Sequence, residues 1–104
     1  LNKRTPIPDC GFVKVVNEGE GFKSVGWRFS PSKTFNREKL YLLLTGLSVE
    51  RMKAVFITET GVFGYNLTPD SLTEIELDDC LESCIEIIAE QIVDGWESQL
   101  LACM

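Results

Sequence analysis

Apolar residues recur at every second position early in the chain. Val25, Trp27 and Phe29 share one side of the stretch Phe22–Ser30, and Phe12–Asn17 before it is also rich in β-forming residues. Glu18-Gly19-Glu20-Gly21 separates the two, so they predict a β-hairpin, and Pro31 ends its second strand. The period then changes. Leu40, Leu43, Leu44 and Leu47 follow the i, i+3, i+4, i+7 spacing of one buried helical stripe. Asn36 is placed as the N-cap, and Glu38 sits in the first turn, where the helix dipole favours an acid. Phe35 before the cap is spaced to meet Leu40, and Gly46 suits the stop, so a helix is expected over Arg37–Thr45.

Arg51–Thr58 and Val62–Thr68 read as two strands joined by Glu59-Thr60-Gly61, and Pro69-Asp70-Ser71 breaks the pattern. The stretch 82–89 supports two readings. Leu77, Leu81, Cys84/Ile85, Ile88, Ile92 and Trp96 fit a helical period, while Cys84-Ile85-Glu86-Ile87-Ile88 fits a strand equally well. From Glu90 onward Ile92, Val93, Trp96 and Leu100 lie on one helical face, with Gly95 weakening that helix by about 1 kcal/mol relative to Ala. The order is β-β-α-β-β-(β or α)-α. It predicts an α+β fold, an antiparallel sheet of four to five strands with two helices packed on one face.

At 104 residues the chain suits one domain, with residues 1–10 as a linker-like opening and 11–104 as the folded part. The opening Lys3-Arg4-Thr5-Pro6-Ile7-Pro8 is polar and carries two prolines, which resist helix and sheet. No apolar run approaches the roughly 20 residues of a membrane helix, and the start has no signal-peptide pattern. Membrane association is therefore not expected. The four cysteines (Cys10, Cys80, Cys84 and Cys103) lack paired zinc-ligand spacing, and four in 104 residues support a secreted disulfide framework only weakly, so reduced thiols in a cytoplasmic protein are the expectation.

Charge adds a further restriction. All ten bases lie at or before Lys53, against five acids; the remaining residues hold eleven acids and no base. The net charge of −6 argues against nucleic acid as a partner. Histidine is absent, which removes Ser-His and Cys-His nucleophile pairs and histidine metal ligands. Cys80 and Cys84 would share a face on a helix, yet two thiolates half-fill a zinc site and core or incidental cysteines are the simpler reading. Glu86 with Glu82 or Glu90 is spaced as a surface carboxylate pair, and no nucleophile is evident. Asn66-Leu67-Thr68 matches a glycosylation sequon that lacks a secretion signal to go with it. What remains are interaction-surface candidates. Arg51 and Lys53 alternate on one strand face, placed to pair with late acids across the sheet. Glu74, Glu76, Asp78, Asp79, Glu82 and Glu86 carry the acidic part, read chiefly as a solvated loop and strand face.

Three stretches resemble the C-terminal domain of CobW-type GTPases. Gly26-Trp27-Arg28-Phe29 leads to Phe35-Asn36-Arg37 and the Leu40 helix, similar to the family's aromatic strand and Phe-opened helix. Arg51-Met52-Lys53-Ala54-Val55-Phe56-Ile57-Thr58, with Gly61 and Asn66 beyond, resembles its central hairpin and is the most specific match. Glu82-Ser83-Cys84-Ile85-Glu86-Ile87-Ile88 is similar to its late strand, with Cys84 where the family usually has Arg. The resemblance runs from about residue 11 to residue 90. It implies a non-catalytic accessory domain that docks or regulates a P-loop GTPase domain, or recognises a metal-receiving protein, in metal delivery or cobalamin synthesis. GTP, Mg and a transition metal, zinc or cobalt, are then expected only for the GTPase domain. This chain carries no G-x-x-x-x-G-K-[ST] segment; Ser32-Lys33-Thr34 ends like one but lacks both glycines, so neither a cofactor nor enzymatic activity is expected of it. The alternative is a stand-alone α+β binding or oligomerisation module, whose oligomeric state the residues leave open.

Overall fold

The structure, a computed structural model, describes residues 5–19 and 21–104. Lys3 and Arg4 of the linker-like opening and Glu20 of the first turn lie outside the described residues. The fold is α+β: a six-stranded antiparallel sheet with two short helices. In chain order the elements are β1 (Phe12–Glu18), β2 (Lys23–Phe29), α1 (Arg37–Thr45), β3 (Arg51–Thr58), β4 (Gly61–Leu67), β5 (Leu72–Leu77), β6 (Ser83–Ala89) and α2 (Trp96–Leu101). The sheet order is β1-β2-β6-β3-β4-β5.

Six strands replace the four to five expected, for two reasons. The stretch 83–89 is a strand because its slot is two-sided. β6 pairs with β2 through Val25↔Ile87 and Trp27↔Ile85, and with β3 through Met52↔Ile87 and Ala54↔Ile85. Ser83, Ile85, Ile87 and Ala89 are buried in strict alternation, a period of two that a helix cannot satisfy. The sixth strand, β5, runs through Glu74 and Glu76, whose charge predicts a solvated loop or face. Its partner is β4, through Tyr65↔Glu74 and Gly64↔Ile75. The last helix is shorter than expected. Residues 90–95 are irregular, and Gly95 is the N-cap of α2 rather than an interior position.

The expected α1 boundaries hold. Asn36 accepts from the Lys39 N–H at 2.9 Å, and Glu59 supplies a second cap by accepting from the Arg37 N–H at 2.8 Å. Gly46 ends the helix with φ of −89°, so the stop uses its N–H on Leu43 rather than the left-handed glycine conformation. Gly61 does need a glycine. Its φ is +140°, and Thr58 closes the same turn by donating to the Gly61 carbonyl at 2.7 Å.

One face of the sheet makes the core. Val25, Trp27, Phe29, Met52, Phe56, Phe63 and Ile87 join Leu40 and Leu44 of α1 and Trp96 and Leu100 of α2 in a single buried cluster. Four aromatic rings form its middle: Phe56 lies 4.7 Å from Phe35 and within 6.4 Å of both Phe29 and Tyr65. Beyond the last β3–β6 residue pair, the buried Ser83 hydroxyl accepts from the Ile57 N–H at 2.8 Å and so continues the β3 pairing by one more bond. The linker-like segment is tied to the sheet as well, since the Thr5 carbonyl accepts from Arg28; just beyond the segment, the Gly11 carbonyl accepts from the Ser30 N–H.

Glu74 explains why an acid can face inward on an edge strand. Its carboxylate accepts from the Arg37 guanidinium (2.9 and 3.2 Å) and from the Tyr65 hydroxyl (2.7 Å), while Arg37 stacks 3.9 Å over the Phe63 ring. The Arg37 hydrogen bonds hold the Glu74 carboxyl below the ordinary glutamate range, outweighing the burial that pushes it up. A depressed folded-state value means that the unfolded chain binds the extra proton. The stabilisation is thus present above the ordinary glutamate pKa and is lost as pH falls through the folded value. Glu74→Gln is expected to lower the melting temperature at neutral pH. That deficit should shrink as pH drops from about 6 to about 3. A pH-independent deficit in a thermal-melt series would contradict this account.

Candidate functional site

Among the described residues, the other face of the sheet has no helix over it. Cross-strand pairing builds it in rows. Val15, Gly26, Glu86, Lys53, Asn66 and Thr73 form one row from β1 to β5, and Val13, Arg28, Cys84, Val55, Gly64 and Ile75 form the next. Antiparallel sheets ordinarily show polar residues on such a face. Here both edge strands break the rule: Val13 and Val15 on β1, and Ile75 and Leu77 on β5, point the same way as Lys53 and Glu86. Val15 is 47% exposed and Ile75 56% exposed.

The face is concave, an open trough of about 700 Å³. Its floor is low because two of the middle positions are glycine. A Cβ at Gly64 would come 3.2 Å from the Leu77 side chain, and one at Gly26 would come 3.3 Å from the Ile85 carbonyl. Cys84 sits in the floor between Arg28 and Val55. A longer side chain there would occupy the space that the thiol leaves.

Three cations and one carboxylate line the trough. Arg28 is engaged, making a bidentate pair with the half-buried Glu82. Arg51 and Lys53 are exposed, and no ion pair within 4.0 Å holds either among the described residues. Lys53 is the cross-strand neighbour of Glu86, as the expected pairing with late acids requires, while Arg51 stands opposite Ile88 instead. Asn66 contributes a buried side-chain oxygen that has no hydrogen-bond partner among the described residues. An unmet acceptor of this kind costs roughly 1–3 kcal/mol. It lies on the open face rather than in the core, where it would be hardest to tolerate.

The eight surface candidates therefore separate. Arg51, Lys53 and Glu86 meet at the trough. Glu74 and Glu76 belong to the helix-bearing side of β5, and Glu74 is committed to Arg37 and Tyr65. Glu82 is committed to Arg28. Asp78 and Asp79 remain in the loop between β5 and β6, beside Leu81, which is 90% exposed. Cys80 is in that loop and Cys84 on a strand, so the shared helical face does not form, and no cluster of three metal-ligating groups exists among the described residues. Burial, with Asp79 nearby, pushes the Cys80 thiol pKa up, away from a reactive thiolate. Glu90 is exposed at the end of β6, apart from Glu82 at its start. The sequon Asn66 lies within β4 rather than on an exposed loop. No helix is long and apolar enough to cross a membrane among the described residues.

Charge and motif spacing single out none of Val13, Val15, Gly26, Gly64, Ile75 and Leu77 as site residues. The four apolar ones leave a signal on the unexpected side of the alternation, Val-Lys-Val-Val in β1 and Ile-Glu-Leu in β5, while the two glycines leave none. Compared with known proteins, the chain matches no family model, no curated protein and no solved structure, so its likeness to the CobW-type C-terminal domain stands on its own residues alone.

Proposed function

We propose that this chain is a non-catalytic interaction domain of the kind that accompanies a CobW-type GTPase, and that its open sheet face docks the GTPase domain or a metal-receiving protein. One observation carries the reading. The two helices join the buried cluster on one face, while the opposite face is left concave, with apolar edges and two exposed cations. Contiguous exposed apolar surface with a polar rim is what contact surfaces present. The residue resemblance supplies the kind of partner. In this reading GTP, Mg and the transition metal belong to the partner domain, and the pair acts in the cytoplasm. A stand-alone binding or oligomerisation module would use the same face and differ only in what covers it.

Calorimetric titration of the chain into a purified CobW-type P-loop domain tests this. Saturable binding is expected, weakened at least tenfold by Val15→Asp with Ile75→Asp, two exposed positions that leave the core intact. The chain alone is expected to turn over no GTP. Absence of binding removes the GTPase reading, and turnover by the isolated chain removes the non-catalytic one. A tight homodimer in sedimentation, blocked by the same two substitutions, replaces it with the oligomerisation module.

A further inference from the structure

We infer that the trough receives an amphipathic helix bearing carboxylates along one flank of its apolar stripe; this rests on the reading of the open face as a docking surface. The shape selects a convex element. From Val15 on β1 to Ile75 on β5 the trough crosses all six strands, a span of roughly 24 Å at ordinary strand spacing. That is the length of a helix of about 16 residues, and the two exposed apolar side chains mark its ends. Gly26 and Gly64 lower the floor beneath its path, where a helix needs clearance.

The charges select the flank. Arg51 and Lys53 stand along one long side of the trough, on the Asn66 row and beyond it. The opposite side carries Leu77 and Arg28, whose charge is already met by Glu82. A bound helix thus meets two exposed cations on one side and a neutralised pair with apolar surface on the other, so its acids belong on one flank only. Glu86, next to Lys53, would repel a carboxylate placed toward β6 and so directs the acids toward Arg51 and β4. A second copy of this chain does not supply the occupant. Two concave faces with the same cations do not complement one another, and both helices of the fold are already engaged with the core through Leu40, Leu44, Trp96 and Leu100.

The test uses two synthetic 16-residue helical peptides with the same leucine stripe, one flanked on one side by Glu and the other by Lys. Each is titrated at low salt into the isotopically labelled chain. The Glu peptide is expected to bind at least tenfold more tightly, to shift the amides of Val55, Gly64 and Ile75, and to lose its advantage in high salt. The double variant Arg51→Glu, Lys53→Glu, checked for an unchanged far-ultraviolet spectrum, is expected to reverse the preference. Equal affinity for the two peptides, or shifts confined to the helix-bearing side, overturns the inference. Uptake of dodecanoate by the trough with neither peptide bound also overturns it, in favour of a small amphiphile. The two readings fail separately. If the P-loop domain binds and the Arg51/Lys53 variant binds it as well as the parent chain does, the acidic helix is wrong and the docking surface stands. If the Glu peptide binds and the P-loop domain does not, the helix stands and the GTPase partner is wrong.

Discussion

Phe56→Ala is expected to remove about 3–5 kcal/mol of stability. Phe56 is fully buried at the centre of the sheet, between the rings of Phe29, Phe35 and Tyr65. Its removal deletes one partner from three ring pairs at once, and the backbone around it has little freedom to collapse. β3 is held on both sides, by β4 and by β6, and Phe35 is fixed by its own N–H to the Ile57 carbonyl. A domain of this size has roughly 5–15 kcal/mol in total, so a fifth or more disappears. Urea unfolding should show the midpoint falling with the slope unchanged. Phe56→Leu keeps most of the volume and should cost about 1.5 kcal/mol or less. Equal losses for Ala and Leu would show that ring geometry, not filled volume, is what the site requires.

Trp27→Ala comes next, with an expected loss of about 3–5 kcal/mol, and it has a local consequence that Phe56→Ala lacks. Trp27 is 2% exposed on β2, and its indole N–H donates to Glu97 of α2 at 3.0 Å. α2 has six residues, a glycine N-cap and no side-chain cap. A helix that short does not persist without tertiary contacts. Trp96, Leu100 and the Trp27–Glu97 bond therefore hold it in place. Trp27→Phe keeps a ring in the core and deletes the bond, at an expected cost of about 1 kcal/mol. Amide exchange should then quicken in residues 98–102 while β3 and β4 remain protected. Uniform acceleration would assign the loss to core packing alone.

The elements easiest to read were those whose polarity and period agree. α1 and β3 have the boundaries that their Leu spacing and alternation predict, because each has one buried and one exposed side. β5 was hidden because Glu74 turns inward, where polarity alone predicts solvent. Arg37, distant in sequence and placed by the N-terminus of α1, makes that position tolerable together with the Tyr65 hydroxyl. The stretch 83–89 was undecided because both of its edges are paired, and a central strand dense in Ile resembles a buried helix turn. α2 was over-extended because Ile92 and Val93 continue its period without joining it. The candidate site was less legible than the fold. Arg51, Lys53 and Glu86 were found by charge, but the apolar trough they border depends on which positions of six strands align, and register is not written in any one segment. The uneven charge was partly resolved by pairing. Arg28 with Glu82 and Arg37 with Glu74 each join a base from the early half to an acid from the late half.

The position of the last strand has a consequence for synthesis. β6 sits between β2 and β3, yet it is the last of the six to leave a ribosome. Until residues 83–89 emerge, β2 and β3 lack the strand that lies between them, so any pairing within β1–β2 or β3–β4–β5 leaves an open inner edge. Such edges are templates for pairing with other chains. The strand that joins the halves also brings the Glu82 carboxylate to Arg28, so closing the sheet and neutralising a waiting cation are one event. A chain stalled before Ser83 would be a sticky intermediate rather than a smaller version of the fold.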